Sequence, residues 1–212
     1  MINKEKRIQL YRATKRVRKF EMRSIDMYKR NEMPGFLHPC VGQEATVSGT
    51  ANALRPDDLM LTNHRGHGHL LAKGVSMDHM MAELFAKDTG CCRGRGGSMH
   101  IMSPKDGIIG ANGIVGAGIV IAPGVALASK MKGDDRVTVA SFGDGASNPG
   151  TFHEGIHLAS LWKLPVVFVG EHNLYADSTC HTYATILPNI SARAAAHSIP
   201  RDHVARTTLD GA

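Results

Sequence analysis

The chain has 212 residues, 42% of them hydrophobic, and a formal charge of +6; it is long enough to bury a core of its own, which excludes global disorder. Residues 1–30 carry eleven Lys and Arg against three Asp and Glu, a balance of +8, which leaves the rest of the chain at −2. A nucleic-acid-binding fold spreads basic residues over its surface, so an excess confined to one terminal segment argues against a nucleic-acid partner.

Leu10, Ala13, Val17, Phe20, Ser24 and Met27 recur at spacings of three and four, the period of an amphipathic helix, and its opposite face is cationic. Pro34 and Gly35 favour a turn that stops it, so residues 1–32 form an N-terminal basic helix ahead of a domain over residues 33–200. Further helical patterns run from Gln43 to Leu54 and over residues 76–87, where Met77, Met80, Met81, Leu84 and Phe85 share one side as core or subunit interface. From Thr89 to Gly118 glycine is dense and periodicity poor. Connections beyond about 12–15 residues are functional or disordered, and Met99, Ile101, Ile108 and Ile109 offer anchors, which favours an ordered loop facing a ligand. The apolar run from Ile114 to Ser129 is interrupted by Gly116, Gly118, Pro123 and Gly124 and fits a buried helix better than a membrane span. The N-terminus has no apolar secretory core. Cys40, Cys91, Cys92 and Cys180 show no metal-type spacing, and a reducing cytoplasm is the simplest location.

Val137–Phe142 is a β-branched run, Thr151–Trp162 has helical spacing and Pro165–Val169 is a second strand. Together they predict a βαβ unit with parallel strands, hence an α/β fold that binds ligands at the carboxyl ends of its strands. Those ends carry Gly143-Asp144-Gly145 and Glu171-His172-Asn173. A glycine on each side of Asp144 lets the backbone turn sharply towards a bulky anion, and the following helix presents N–H groups to it. A carboxylate facing a diphosphate requires a cation between them. Mg²⁺ takes oxygen ligands of this kind, and Asp144, the Asn173 amide and the Tyr175 carbonyl are candidates. Gly-Asp-Gly alone is a weak signal.

Its surroundings make it specific. Gly143-Asp-Gly-Ala-Ser-Asn148, Phe152-His-Glu154, Leu161-Trp-Lys-Leu-Pro165 and Glu171-His-Asn-Leu-Tyr175 resemble the thiamine-diphosphate motif of the α subunits of 2-oxo acid dehydrogenase E1 components, of the pyruvate and acetoin dehydrogenase type. Gly35-Phe-Leu-His38, Gly42-Gln-Glu-Ala45, Thr62-Asn-His-Arg-Gly-His-Gly68, Gly94-Arg-Gly-Gly-Ser-Met-His100 and Asn112-Gly-Ile-Val-Gly116 look like blocks of that family in the expected order. The resemblance runs from about Met33 to about Pro200. It implies a three-layer α/β fold, a mostly parallel sheet with helices on both faces that binds thiamine diphosphate. It also implies that Arg65 binds the diphosphate with His64 beside it, and that Gly113 and Val115 meet the aminopyrimidine. Asp144, Asn173 and the Tyr175 carbonyl would ligate Mg²⁺, Gly145 and Ala146 would contact the diphosphate, and His38 would lie near the substrate entrance. The implied activity is oxidative decarboxylation of a 2-oxo acid, pyruvate first and acetoin as the alternative substrate, with the acyl unit passed to a lipoyl-bearing E2 partner. The implied assembly is a heterotetramer with an E1 β subunit. Arginine's planar fork suits phosphate, in keeping with the role of Arg65.

Three departures accompany the resemblance. His172 replaces the first residue of the family's Asn-Asn pair, while Asn173 keeps the second. Pro149 stands where Gln is usual, which the first turn of a helix tolerates. Family α subunits continue well past this point and include a loop with a catalytic histidine that has no counterpart here; residues 201–212 form a divergent tail. Such a chain is a piece of a longer subunit or a natural short form, with a sheet edge left uncovered. Two other classes remain: a non-catalytic assembly subunit, which predicts partner binding that survives Asp144→Ala, and RNA binding through residues 1–30, which predicts steep salt dependence. His64, His67 and His69 lack a Cys or carboxylate to complete a zinc set. Arg93-Gly-Arg-Gly-Gly is a single copy, Glu154 and Glu171 are structural, and Cys91 and Cys92 are packed thiols.

Overall fold

The computed structural model describes residues 3–204, so residues 205–212 of the divergent tail lie outside the described residues. In chain order the elements are α1 (Lys4–Lys29), α2 (Glu44–Ala53), β1 (Leu59–Asn63), α3 (His67–Lys73), α4 (Met77–Leu84), β2 (Ile108–Asn112), α5 (Ala117–Lys132), β3 (Thr138–Gly143), α6 (Gly150–Leu161), β4 (Val166–Glu171), β5 (Tyr175–Ala176), β6 (Thr179–Cys180) and α7 (His181–Ala184). Short 3-10 helices cover Pro104–Asp106, Asp144–Ser147 and Ile190–His197. Among the described residues, one compact unit holds 3–57 and 64–113 and the other 58–63 and 114–204.

In the first unit, α1 begins where the Asn3 side chain accepts the Lys6 N–H at 2.8 Å, the usual cap for an unpaired helix donor. Its buried stripe is Thr14, Val17, Phe20, Glu21 and Ser24, a face turned slightly from the apolar one because it takes in a carboxylate. Glu21 and His67 are both fully buried and pair at 3.0 Å between Oε2 and Nδ1. Glu44 at the start of α2 is also buried and accepts from Arg18 and, at 3.0 Å, from the Gly42 N–H. α4 starts at a Ser76 cap and buries Met80, Glu83 and Leu84. In the glycine-rich stretch after it, a single carboxylate, which the sequence does not announce, gathers four backbone N–H groups. Glu83 accepts the N–H groups of Cys92 and Gly94 on Oε2 at 2.7 and 2.9 Å, and those of Gly96 and Gly97 on Oε1 at 2.7 and 3.2 Å. The same stretch contains β2, which sequence periodicity does not announce.

In the second unit β1, β3 and β4 run parallel, with Met60 opposite Val139 and Val139 opposite Val167. The predicted βαβ unit is present as β3, α6 and β4. β1 and β3 are buried along nearly their whole length, as strands covered on both faces are, whereas Val167 of β4 is 50% exposed. The apolar run ending at Ser129 forms α5, and Ile119 joins Phe142, Ala146, Phe152 and Ile156 in one core cluster. Gly155 lets α6 approach α5 closely, because a Cβ there would collide with the Ile119 carbonyl. Pro149 is the residue before the first turn of α6, where a missing N–H costs nothing. No helix among the described residues is long and apolar enough to cross a membrane.

Candidate functional site

Parallel register delivers the candidate site. Gly143 of β3 is paired with Glu171 of β4, so the next residues, Asp144 and His172, emerge at the same end of the sheet. Asp144 opens the 3-10 turn Asp144–Ser147 and is only 4% exposed. Ser147 Oγ donates to the Asp144 carbonyl at 2.7 Å and tightens the turn. Neither glycine flanking Asp144 adopts the left-handed backbone open to glycine. Gly143 is extended, at φ −79° and ψ 166°, and Gly145 is not among the residues of positive φ. Gly145 is needed for space: a Cβ there would stand 2.5 Å from the Ala176 Cβ in β5. Ala146 is 3% exposed, with its side chain in the core, so only its backbone faces the turn.

Beyond β4 the chain forms the β5/β6 hairpin, with Tyr175 opposite Cys180 and Ala176 opposite Thr179. Asn173 is exposed, and its Oδ1 accepts the Tyr175 N–H at 3.1 Å, so its amide oxygen closes its own turn. Tyr175 is 55% exposed, and Val115 is 53% exposed at the start of the α5 region. Two imidazoles flank the Asp144 carboxylate. Oδ2 lies 3.9 Å from His172 Nε2 and 3.7 Å from His181 Nδ1, and the two rings are 4.1 Å apart between centroids. Burial holds the His172 imidazole below its usual pKa; His181 adds to the effect and Asp144 opposes it. His172 Nε2 is buried without a hydrogen-bond partner, while His181 Nε2 hydrogen-bonds the Leu187 carbonyl at 3.1 Å.

The first unit contains the other residues picked out from the sequence. The His38 N–H donates to Ser98 Oγ at 2.9 Å, and its ring meets His64 edge-on, with centroids 5.4 Å apart. Burial, then the charge of Arg65, then His67 push the His38 pKa down. Arg65 Nη1 donates to the Pro39 carbonyl at 2.9 Å. At Gly113 a Cβ would come within 3.1 Å of the His100 ring. His67 is fully satisfied, with Nδ1 on Glu21 and Nε2 2.9 Å from Ser98 Oγ, which makes it a core pin and no zinc ligand. The Cys91 thiol is pushed up to about 11 by burial, then by Cys92 and Glu83, as befits an unreactive packed cysteine. Glu171 is buried and accepts from Asn63 Nδ2 at 3.1 Å, a structural link between strand ends.

Sequence reasoning missed Glu83, His181 and Arg193. Arg193 donates to the Ser147 carbonyl, to Asn148 Oδ1 at 2.7 Å and to Thr185 Oγ1 at 2.7 Å, tying the segment after α7 to the Asp144 turn. A two-residue turn at Asp177-Ser178, had it been recognised, would have placed His181 back beside His172.

The model of the family described as dehydrogenase E1 component matches residues 12–206. The α subunit of acetoin:2,6-dichlorophenolindophenol oxidoreductase from Bacillus subtilis is 46% identical over 210 residues, covering 99% of this chain and 62% of that protein. Its counterpart from Cupriavidus necator is 45% identical, with the same coverage of 99% and 62%. The pyruvate dehydrogenase E1 component subunit α of Rhizobium meliloti is 40% identical over 198 residues, 93% of this chain and 57% of that protein. The chain thus spans 57–62% of the length of these relatives. With the family model matching most of its length, the chain belongs to the dehydrogenase E1 component family.

Proposed function

We propose that this chain is an α-type E1 subunit whose Asp144 turn holds a divalent cation and thiamine diphosphate, and that the assembled enzyme oxidatively decarboxylates a 2-oxo acid, pyruvate in the first instance. The observation that supports this reading most directly is the buried Asp144 carboxylate at the carboxyl end of β3, inside the segment matched by the family model. The site suits a cation, because the Asp144 carboxylate is 4% exposed and little screened, with an imidazole nitrogen nearby that no hydrogen bond occupies. When bound, thiamine diphosphate supplies an electron sink for cleaving a carbon–carbon bond next to a carbonyl.

The remaining work falls to this chain's side chains and backbone. Asp144 anchors the cation, and the Gly145 and Ala146 N–H groups are donors for the diphosphate at the start of the turn. For Mg²⁺, Asn173 would release the Tyr175 N–H and turn its amide oxygen to the cation, with the Tyr175 carbonyl as a further ligand. Arg65 offers a phosphate fork with His64 beside it, Gly113 and Val115 flank the aminopyrimidine, and His38, kept neutral by its surroundings, handles a proton at the substrate entrance. The reading includes an E1 β subunit in a heterotetramer, a lipoyl-bearing E2 as acyl acceptor and a cytoplasmic location. Val120 and Ile121 of α5, exposed by 37% and 41%, are apolar surface available to such a partner. Acetoin is the second substrate reading, favoured by the 46% and 45% identity to acetoin relatives against 40–42% to pyruvate dehydrogenase relatives.

The test is calorimetry of this chain with thiamine diphosphate, with and without Mg²⁺ and an E1 β subunit. Cation-dependent binding is expected; affinity that ignores the cation, or none in any mixture, overturns the reading. Product formation from pyruvate against acetoin with a dye acceptor then decides the substrate.

A further inference from the structure

We propose that Asp144, His172 and His181 form a binding site for a transition-metal dication of the zinc and cobalt class. It deepens the reading of Asp144 as a cation ligand and rests on it, but assigns the cation to a different chemistry from Mg²⁺. One carboxylate oxygen and two imidazole nitrogens converge here, each within 4.8 Å of the others.

The hydrogen bonding fixes which atoms face the centre. The Leu187 carbonyl can only accept, so the Nε2 bonded to it at 3.1 Å carries the proton. In the neutral ring Nδ1 is then a bare lone pair, 3.7 Å from Asp144 Oδ2. A backbone carbonyl on the far nitrogen is also the usual way a metal-binding histidine is oriented. His172 Nε2, 3.9 Å from the same oxygen, is buried and has no hydrogen-bond partner. With the His172 proton on Nδ1, its Nε2 is a second lone pair turned to the Asp144 carboxylate, and a cation between the three atoms satisfies all of them at once.

Zinc–ligand bonds of about 2.0–2.2 Å place tetrahedral ligands roughly 3.4 Å apart. The spacings to Asp144 therefore need to contract by about 0.5 Å or less, and that between the two imidazole nitrogens, which lie within 4.8 Å, by ~1.4 Å at most. Nitrogen ligands select the class: imidazole suits zinc, copper, nickel and iron, whereas Mg²⁺ prefers an oxygen shell. Three protein ligands leave a fourth position open for water or a phosphate oxygen. Arg193 holds the segment in register by bridging Thr185 and Ser147, so Leu187 and the Asp144 turn are fastened to each other.

The experiment is titration of the full chain with Co²⁺ alone, read by the visible absorption of the bound ion, followed by Zn²⁺ competition and by Mg²⁺ calorimetry on the same sample. One equivalent of Co²⁺ should bind, be displaced by Zn²⁺, and bind at least tenfold more tightly than Mg²⁺. His181→Gln and His172→Asn should each weaken Co²⁺ at least tenfold, while His197→Gln, in the separate cluster with His153, should leave it unchanged. Two variants at different positions guard against one that fails to fold, and a melting curve identifies such a case. Co²⁺ binding no tighter than Mg²⁺, or equally weakened by His197→Gln, overturns the proposal. Adding thiamine diphosphate separates the two readings. Cofactor binding supported by Mg²⁺, with Co²⁺ ignoring the histidines, removes this site and leaves the E1 assignment. Histidine-dependent Co²⁺ binding without cofactor affinity under any metal does the reverse.

Discussion

Replacing Glu83 by Gln changes one atom and removes a charge at the centre of four backbone hydrogen bonds. In the native chain each carboxylate oxygen serves two donors, Oε2 taking Cys92 and Gly94 and Oε1 taking Gly96 and Gly97. Gln keeps one acceptor and turns an NH₂ group towards the other two N–H groups. Two partly buried donors left unpaired cost about 1–2 kcal/mol each, the lower part of the range for buried groups, and the surviving pair loses its charge assistance, another ~1 kcal/mol. Allowing for local relaxation, the loss is about 3–4 kcal/mol, a large share of the roughly 5–15 kcal/mol that holds a domain together. At about 2–4 °C per kcal/mol for a chain of this size, the melting temperature should fall by roughly 6–16 °C. The loop should also loosen locally. Arg93 and Arg95 are exposed within it, so trypsin cleavage there should accelerate in Glu83→Gln before global unfolding. A melting temperature within about 2 °C of the native value, together with unchanged cleavage, would show that the carboxylate does not order the loop.

Three further outcomes follow from the packing and the charges. Gly155→Ala should cost about 1–3 kcal/mol by forcing α6 away from the Ile119 carbonyl, measured as a urea midpoint; a neutral change refutes the close approach. Glu44→Ala should cost about 1–2 kcal/mol, because the Gly42 N–H loses its acceptor while half-exposed Arg18 is rehydrated; an unchanged urea midpoint argues against the pairing. Since burial and neighbouring charges depress the pKa of His38, the unfolded chain takes up this proton more readily than the folded one. Its contribution to stability is complete above about pH 6.5 and is lost as pH falls from there through the lowered value. Denaturation midpoints at pH 7.5 and 5.5 should diverge less in His38→Gln than in the native chain; equal divergence refutes the assignment.

What the sequence revealed and what it concealed divide along physical lines. The βαβ unit was legible because α6 has a helical period and β3 and β4 are β-branched runs bounded by turns. Asp144 was legible because its Gly-Asp-Gly, a weak signal by itself, stands at a strand end among further blocks that resemble one family. β1 and β2 are five-residue runs, too short for period to separate strand from buried helix, and α3 is a seven-residue helix containing Gly68. Glu83 sits beside Leu84 on α4 and looks like one more acidic residue until the loop is seen to close over it. The orientation of Asn173 was out of reach, since an amide that can serve a metal serves a neighbouring N–H equally well. His181 depends on a hairpin turn whose first residue, Asp177, adopts φ 54° without the glycine that usually signals it.

The pairing of Glu21 with His67 has a consequence for how the basic helix can be probed. Some cations of α1 are anchors, Arg18 on Glu44 and Arg16 on the Val75 carbonyl, but Arg12, Lys15 and Lys19 are exposed, apart from the buried Val17, Phe20 and Glu21. Truncation would strip His67 of its carboxylate and leave a fully buried imidazole facing a void, so lost binding after such a cut would report unfolding and say nothing of charge. Neutralising the three exposed cations separates electrostatics from architecture, because the face that secures the helix is left untouched.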